Sequence, residues 1–285
     1  MKPCVFIQTN AKQIAGAIVA AHALKRNSPN ADKFDVKIVK HEDYSYFQEM
    51  EGRPYLRDRI HRQWQNDDLQ SFTLTRFMPP ELMGYKGKAV MACRPKNPLK
   101  EREGQLASSV MLLDCSKLKH WNVKQQFLDM FDDKIDYMDW ISLKLEPRET
   151  IGILEPEWNH YDTLNAKTKM IHNTKRRTQP WKSGLPVDFM TPERNRKHPL
   201  VGWVWRWRRR IFGPYAFLGR YKSHPDKRQE DLFFSLLREC LENGSITEGM
   251  IKHEMRANHV RHDALEVIRK VPDLSEVMPR IKSAA

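Results

Sequence analysis

The chain has 285 residues, of which 40% are hydrophobic, enough to bury the core of one large domain or of a domain with an appendage. Its 49 Lys and Arg outnumber 36 Asp and Glu, so the formal charge is +13, which favours anionic partners such as phosphates, nucleotides, nucleic acid or an anionic membrane. No apolar run reaches the ~20 residues that span a bilayer, and Met1 to Ile7 lack the layout of a signal peptide, so a cytoplasmic protein is expected. The cysteines, Cys4, Cys93, Cys115 and Cys240, show no C-x-x-C spacing, and three lie in apolar runs where a small buried hydrophobe is the ordinary role.

In chain order, Cys4 to Ile7 predicts a short buried strand with Gln8, Thr9 and Asn10 at its carboxyl end. Ile14, Ile18, Ala21 and Leu24 then recur at three and four residues, one face of a helix that Pro29 ends. Val36 to Val39 predicts a second strand, and strand–helix–strand order predicts an α/β fold with a partly parallel sheet. Ligands of such sheets bind beyond the carboxyl ends of the strands, which makes Gln8, Thr9 and Asn10 candidate site residues. Residues 58 to 67 read as a helix, Lys88 to Cys93 and Ser109 to Leu113 as strands, and Phe127, Leu128 and Phe131 as one helical face. Ile151 to Leu154 and Lys169 to Ile171 are further short strand candidates.

The composition shifts near residue 190. From Arg194 to Arg228 the only acidic residue is Asp226. Within that stretch Trp203, Trp205 and Trp207 alternate with Arg206 and Arg208 and are followed by Arg209 and Arg210. Indoles beside arginines suit an anionic lipid surface. Core tryptophans under a solvated basic face, a protein partner, and nucleic-acid stacking are alternatives, the last with no recognition module in view. Beyond it, Leu232, Phe233, Leu236, Leu237 and Leu241 predict an amphipathic helix, and Ala264, Leu265 and Ile268 another. Residues 1 to 190 are therefore expected to form an α/β domain and residues 191 to 285 a basic, mainly helical region.

Four stretches together carry a resemblance: Ala107 to Cys115, Tyr137 to Trp140, Pro156 to Asn159 and Thr168 to Trp181. In order and spacing they resemble glycosyltransferase family eight, in particular an uncharacterised bacterial branch of it, over roughly residues 1 to 190. The resemblance implies a GT-A fold and transfer of a sugar from a nucleotide sugar, commonly a UDP-sugar, to an unknown acceptor. It implies manganese held between an Asp-x-Asp motif and a histidine, and His172 falls on that histidine. Trp181 matches the family's Lys-Pro-Trp tryptophan, with Gln179 where the lysine stands. Asp139 falls on the family's aspartate near the acceptor and donor sugar, so it is the candidate acid, base or sugar-hydroxyl acceptor. Lys88 resembles a basic residue near the nucleotide, and Lys175, Arg176, Arg177 and Lys182 could face a diphosphate.

The chain departs from the family where Gly87-Lys88-Ala89-Val90 runs directly into Met91-Ala92-Cys93-Arg94, as if the segment with the Asp-x-Asp motif were deleted. A leaving diphosphate gathers negative charge, and a divalent ion between carboxylates ordinarily stabilises it. With no such pair, manganese-dependent transfer is expected to be impaired, and a non-catalytic protein that keeps the cleft is the alternative function. Asp139 and His172 are expected to line one cavity beyond Gln8, Thr9 and Asn10.

Overall fold

A computed structural model describes residues 2–68, 71–90, 94–95, 106–173, 175–189, 207, 211–213, 215 and 217–283. The chain opens with the expected strand–helix–strand unit. Strand β1 (Cys4–Thr9) buries Cys4 and Phe6 by alternation, helix α1 (Ile14–Asn27) follows, and β2 (Asp35–Lys40) returns beside β1 in parallel, Cys4 level with Asp35 and Thr9 with Lys40. The connection needs a crossover because parallel neighbours cannot be joined by a tight turn. Lys25 and Arg26 sit in the last turn of α1, where cations suit the helix dipole.

Residues 58 to 67 do not form the expected helix. They belong instead to a hairpin, β3 (Pro54–Arg57) against β4 (Ile60–Gln63), with Arg57 opposite Ile60. The two-residue turn places Asp58 and Arg59 at φ of 57° and 59°, a conformation that ordinarily favours Asn and Gly. The physical reason lies far along the chain. The Asp136 carboxylate accepts from the backbone N–H of Asp58 at 3.0 Å and of Arg59 at 2.7 Å. It also caps the next helix through the Met138 N–H at 2.7 Å. Burial pushes the Asp136 carboxyl up, but these backbone donors and Arg59 outweigh it, and the group lies below its ordinary value.

Strand β5 (Lys88–Val90) joins the free side of β1 in parallel, β6 (Arg94–Pro95) pairs with β7 (Leu106–Ala107), and β8 (Leu112–Asp114) lies antiparallel to β5. The central sheet thus has the order β2-β1-β5-β8 and is largely parallel. The strand expected over Ser109 to Leu113 begins at Leu112, and Ile151 to Leu154 is irregular. One face of the sheet supplies Cys4, Phe6, Val39, Ala89 and Leu113 to an aromatic core. There the Phe47 ring meets Phe127 edge-on at 4.7 Å between centroids, and Trp64 meets Phe127 at 4.9 Å. The expected helix around Phe127 is α2 (Val123–Asp129), and α3 (Tyr137–Ile141) follows. Two short parallel strands, β9 (His160–Tyr161) and β10 (Ile171–His172), stand apart from the main sheet.

The C-terminal region is helical: α4 (Lys227–Glu242), α5 (Glu248–Arg256), α6 (Ala264–Lys270) and α7 (Leu274–Lys282). Asp226 caps α4 by accepting from the Arg228 N–H. These helices share one apolar cluster with Ala15 and Val19 of α1 and with Leu164. Hydrogen bonds also cross the division expected near residue 190: Val187 N–H donates to the Gly219 carbonyl at 3.0 Å, and Tyr221 N–H to the Leu185 carbonyl at 2.8 Å. The helices thus enclose a second apolar cluster built mainly from their own side chains, and α1 packs into it through Ala15 and Val19. Of the segment Trp203–Arg210 only Trp207 is described, and it is exposed; the rest lies outside the described residues. Among the described residues no helix is long and apolar enough to cross a membrane.

Candidate functional site

The carboxyl end of β1 faces mostly inward. Gln8 is half-buried and its Nε2 donates to the Phe6 carbonyl at 3.4 Å. Thr9 is fully buried and its hydroxyl donates to the Asn10 carbonyl at 3.0 Å. It is a structural residue and offers no surface to a ligand. Asn10 is also buried. Its Nδ2 donates to the Asp68 carbonyl at 3.3 Å and to the Ser71 hydroxyl at 3.2 Å, while Oδ1 has no hydrogen-bond partner. Asn10 thus ties the end of β1 to the 3-10 segment Ser71–Phe77.

That segment carries Arg76, about 10 Å beyond Ser71 at the ~2.0 Å rise of a 3-10 turn. Arg76 Nη1 donates to the Ser108 hydroxyl at 3.0 Å, and Ser108 donates to the Ile141 carbonyl of α3 at 2.6 Å. The neighbouring Ser109 hydroxyl accepts from Asn159 Nδ2 at 3.0 Å. Asn159 Oδ1 lies 3.0 Å from His172 Nδ1. With the Asn159 amide nitrogen given to Ser109, its oxygen must accept, so the His172 proton sits on Nδ1 and Nε2 keeps a lone pair. Among the described residues nothing hydrogen-bonds that Nε2. Burial, with the Arg76 cation adding to it, holds the His172 imidazole down to about 4, so it is neutral near pH 7. A neutral imidazole with its other nitrogen fixed is suited to accept a proton or a hydrogen bond, or to ligate a metal.

The remaining candidates are distributed unevenly around this network. Asp139 stands on α3, two residues before the Ile141 carbonyl that holds Ser108. Its carboxylate turns to Arg59 Nη2 at 2.7 Å and Lys144 Nζ at 3.4 Å. Lys175 is exposed on the loop after β10, its backbone N–H donating to Asp162 Oδ1 at 3.2 Å. The side chain of Arg176 lies outside the described residues.

Lys182 does not face a diphosphate. It is 0% exposed, 2.6 Å from Asp188, with the Tyr221 ring centroid 5.6 Å away. Burial lowers its pKa, with Asp188 opposing. The turn Pro180–Lys182 aims it inward while Trp181 packs on Phe233 of α4 at 4.9 Å. Lys88 is also misplaced for the site. Ala89 pairs with Cys4, so Lys88 is level with Pro3, at the opposite end of β1 from Asn10. At ~3.3 Å per residue the separation is about 20 Å.

The manganese implied by the resemblance needs several donors, oxygens above all, around His172. Among the described residues no group of three His, Cys, Asp or Glu could hold a metal ion. His172 presents one nitrogen, and the Arg76 guanidinium, whose charge acts on that ring, also repels a divalent ion. The described residues around His172 do not by themselves make a manganese site. Elsewhere, a groove of about 240 Å³ is lined by Lys227, Glu230, Asp231, Asp263, Glu266 and Lys270. Its two lysines pair with Glu230, Asp231 and Glu266, and Arg261 holds Asp263 and Glu230, so each acid of the lining already has a cation partner.

No family model, curated protein or solved structure matches the chain. The glycosyltransferase resemblance therefore rests on the four sequence stretches, three of which supply Ser108, Ser109, Asn159 and His172 to one hydrogen-bonded neighbourhood, while the fourth is α3 and carries Asp139. Arg76 was not among the sequence candidates. Its signal is a lone arginine inside the apolar run Phe72-Thr73-Leu74-Thr75-Arg76-Phe77-Met78, where a charge needs a buried partner.

Proposed function

We propose that the chain is a nucleotide-sugar glycosyltransferase of GT-A architecture in which Arg76 takes the place of a metal ion at the diphosphate. The observation that supports this reading is the hydrogen-bonded set Arg76–Ser108 and Ser109–Asn159–His172, in which Arg76 is carried by the 3-10 segment that Asn10 ties to β1 and His172 by β10. Cleavage of the glycosidic bond leaves charge on the departing diphosphate, and a fixed guanidinium stabilises charge that develops there. Ser108 holds that guanidinium in place. His172 Nε2 accepts from a hydroxyl of the donor or of the nucleotide. Asp139 is the carboxylate for a sugar hydroxyl, reached when substrate displaces Lys144 or Arg59.

A second reading, binding without turnover, is favoured by one observation: Asp139 is already neutralised by two cations. Calorimetry with UDP, in EDTA and in manganese, combined with hydrolysis assays on a UDP-sugar panel, separates the two. The expected result is UDP binding of equal affinity under both conditions. Arg76→Gln is expected to weaken it roughly 10- to 100-fold, since a charge-assisted hydrogen bond is worth about 1.5–3 kcal/mol. Turnover of any UDP-sugar selects transfer, and binding with no turnover selects the second reading. Absence of UDP binding by the wild type, or binding indifferent to Arg76→Gln, would overturn both.

A further inference from the structure

Four large apolar side chains stand out of the surface within eleven residues: Trp207 at 55% exposure, Ile211 at 52%, Phe212 at 57% and Phe217 at 72%. Trp207, Ile211 and Phe212 have helical backbone, and Phe217 folds back so that its ring meets Phe212 edge-on at 5.3 Å between centroids. Phe217 holds a φ of 61°, in the left-handed region that a bulky side chain rarely adopts. Strain of this kind persists only where the surroundings impose it. Here they do. Leu218 and Tyr221 are buried with Leu185, Val187 and Phe189. Pro186 bridges to Arg220, and the Tyr215 hydroxyl donates to Asp67 at 2.9 Å. The base of the loop is fastened to the body, and its aromatic tip is held outward.

The surroundings are cationic. Arg177, Arg220 and Lys222 are exposed, and the Lys222 N–H donates to the Arg177 carbonyl at 2.7 Å, which sets them in one strip. Among the described residues none of the three forms an ion pair with a carboxylate. In sequence, residues 194 to 228 carry eleven Lys and Arg against the single Asp226. We infer that this loop docks on an anionic lipid bilayer, with Trp207, Ile211, Phe212 and Phe217 entering the headgroup and upper acyl region and the cations meeting lipid phosphates. An apolar tip bordered by basic residues is the pattern of interfacial binding, and aromatic rings favour that depth. Nucleic acid fits less well. Bases stack on open ring faces, whereas Phe212 and Phe217 are packed edge to face and Ile211 offers no ring.

Co-sedimentation of the full chain with vesicles of about 30% phosphatidylserine in phosphatidylcholine tests this, with pure phosphatidylcholine as the neutral control. Binding to the anionic vesicles that weakens at high salt is expected. Arg220→Gln with Lys222→Gln is expected to lower the partition constant roughly 5- to 25-fold, because each cation near such a surface contributes about 1 kcal/mol. Phe212→Ser with Phe217→Ser is expected to lower it at least about 10-fold by removing the buried apolar area. Circular dichroism melts verify that both variants stay folded. Failure of the wild type to bind anionic vesicles overturns the inference, as does equal binding by the Phe212→Ser, Phe217→Ser form. Binding to generic single-stranded RNA in place of vesicles assigns the surface to nucleic acid and overturns it too.

Discussion

Replacing Lys182 by methionine separates a structural cation from a ligand-binding one. Methionine keeps the length and flexibility of the side chain and removes only the ammonium that lies 2.6 Å from Asp188 at 0% exposure. Asp188 is then left with the Tyr221 hydroxyl, and its side chain is 19% exposed, so water relieves part of the loss. Breaking a buried pair from one side costs about 3–5 kcal/mol, and partial hydration of Asp188 places this case near the lower figure, about 3 kcal/mol. At roughly 2–4 °C per kcal/mol for a chain of this size, the melting temperature falls by about 6–12 °C. Combining Lys182→Met with Asp188→Asn leaves no stranded charge and recovers most of the loss, to within about 1–2 kcal/mol of wild type. Urea unfolding at pH 7.5 measures the stability, and calorimetry with UDP at a temperature where both forms are folded measures the ligand. A single variant that loses less than about 1 kcal/mol while UDP affinity drops would refute the structural assignment and return Lys182 to the diphosphate.

Two other tests follow from the buried histidines. His41 is fully buried, with Gln48 Nε2 3.2 Å from its Nδ1, and burial pushes its imidazole down to about 4. The unfolded chain takes up this proton near pH 6.5 and the folded chain only near 4. The stabilising contribution is therefore complete above about pH 6.5 and is lost as pH falls towards 4, by about 2.5 kcal/mol between pH 7.5 and 4.5. His41→Leu should flatten the pH dependence of urea unfolding by that amount, and an unchanged slope would contradict it. Asn159→Asp places a carboxylate on His172 Nδ1 and should raise the His172 titration from about 4 by a unit or more, read by NMR. No movement would show that Asn159 does not hold that nitrogen.

Local periodicity made β1, α1 and β2 legible, because their burial patterns repeat within a few residues. The amphipathic face of α4 was legible for the same reason, with Phe233, Leu236 and Leu237 of the predicted face buried and Leu232 and Leu241 partly so. The β3–β4 hairpin was not. Asp58 suits its turn but Arg59 stands where Gly is usual, and the carboxylate that holds both belongs to Asp136, 78 and 77 residues away. Arg76 escaped notice because its partner Ser108 lies in another stretch of chain. Lys182 misled because a lysine's sequence neighbourhood does not reveal an internal counter-ion such as Asp188. Lys88 misled for a geometric reason, since which end of a strand a residue occupies depends on the register against β1. Asp139 is not hydrogen-bonded into the His172 network, because its carboxylate points to Arg59 and Lys144.

The packing of α1 against the C-terminal helices has a consequence for biosynthesis. His22 of α1 meets Glu239 of α4 at 2.8 Å across 217 residues of sequence. At roughly 5–20 residues per second, α1 leaves the ribosome about 10–40 s before its partner exists. Throughout that interval Ala15 and Val19, which end up buried against α4 and its neighbours, are open to other nascent chains. Slow translation over the basic stretch from Arg194 to Arg228 would lengthen the wait. Yield in cells should therefore depend on a chaperone that recognises an apolar helix face, and a nascent chain stalled before Lys227 should be the species it holds.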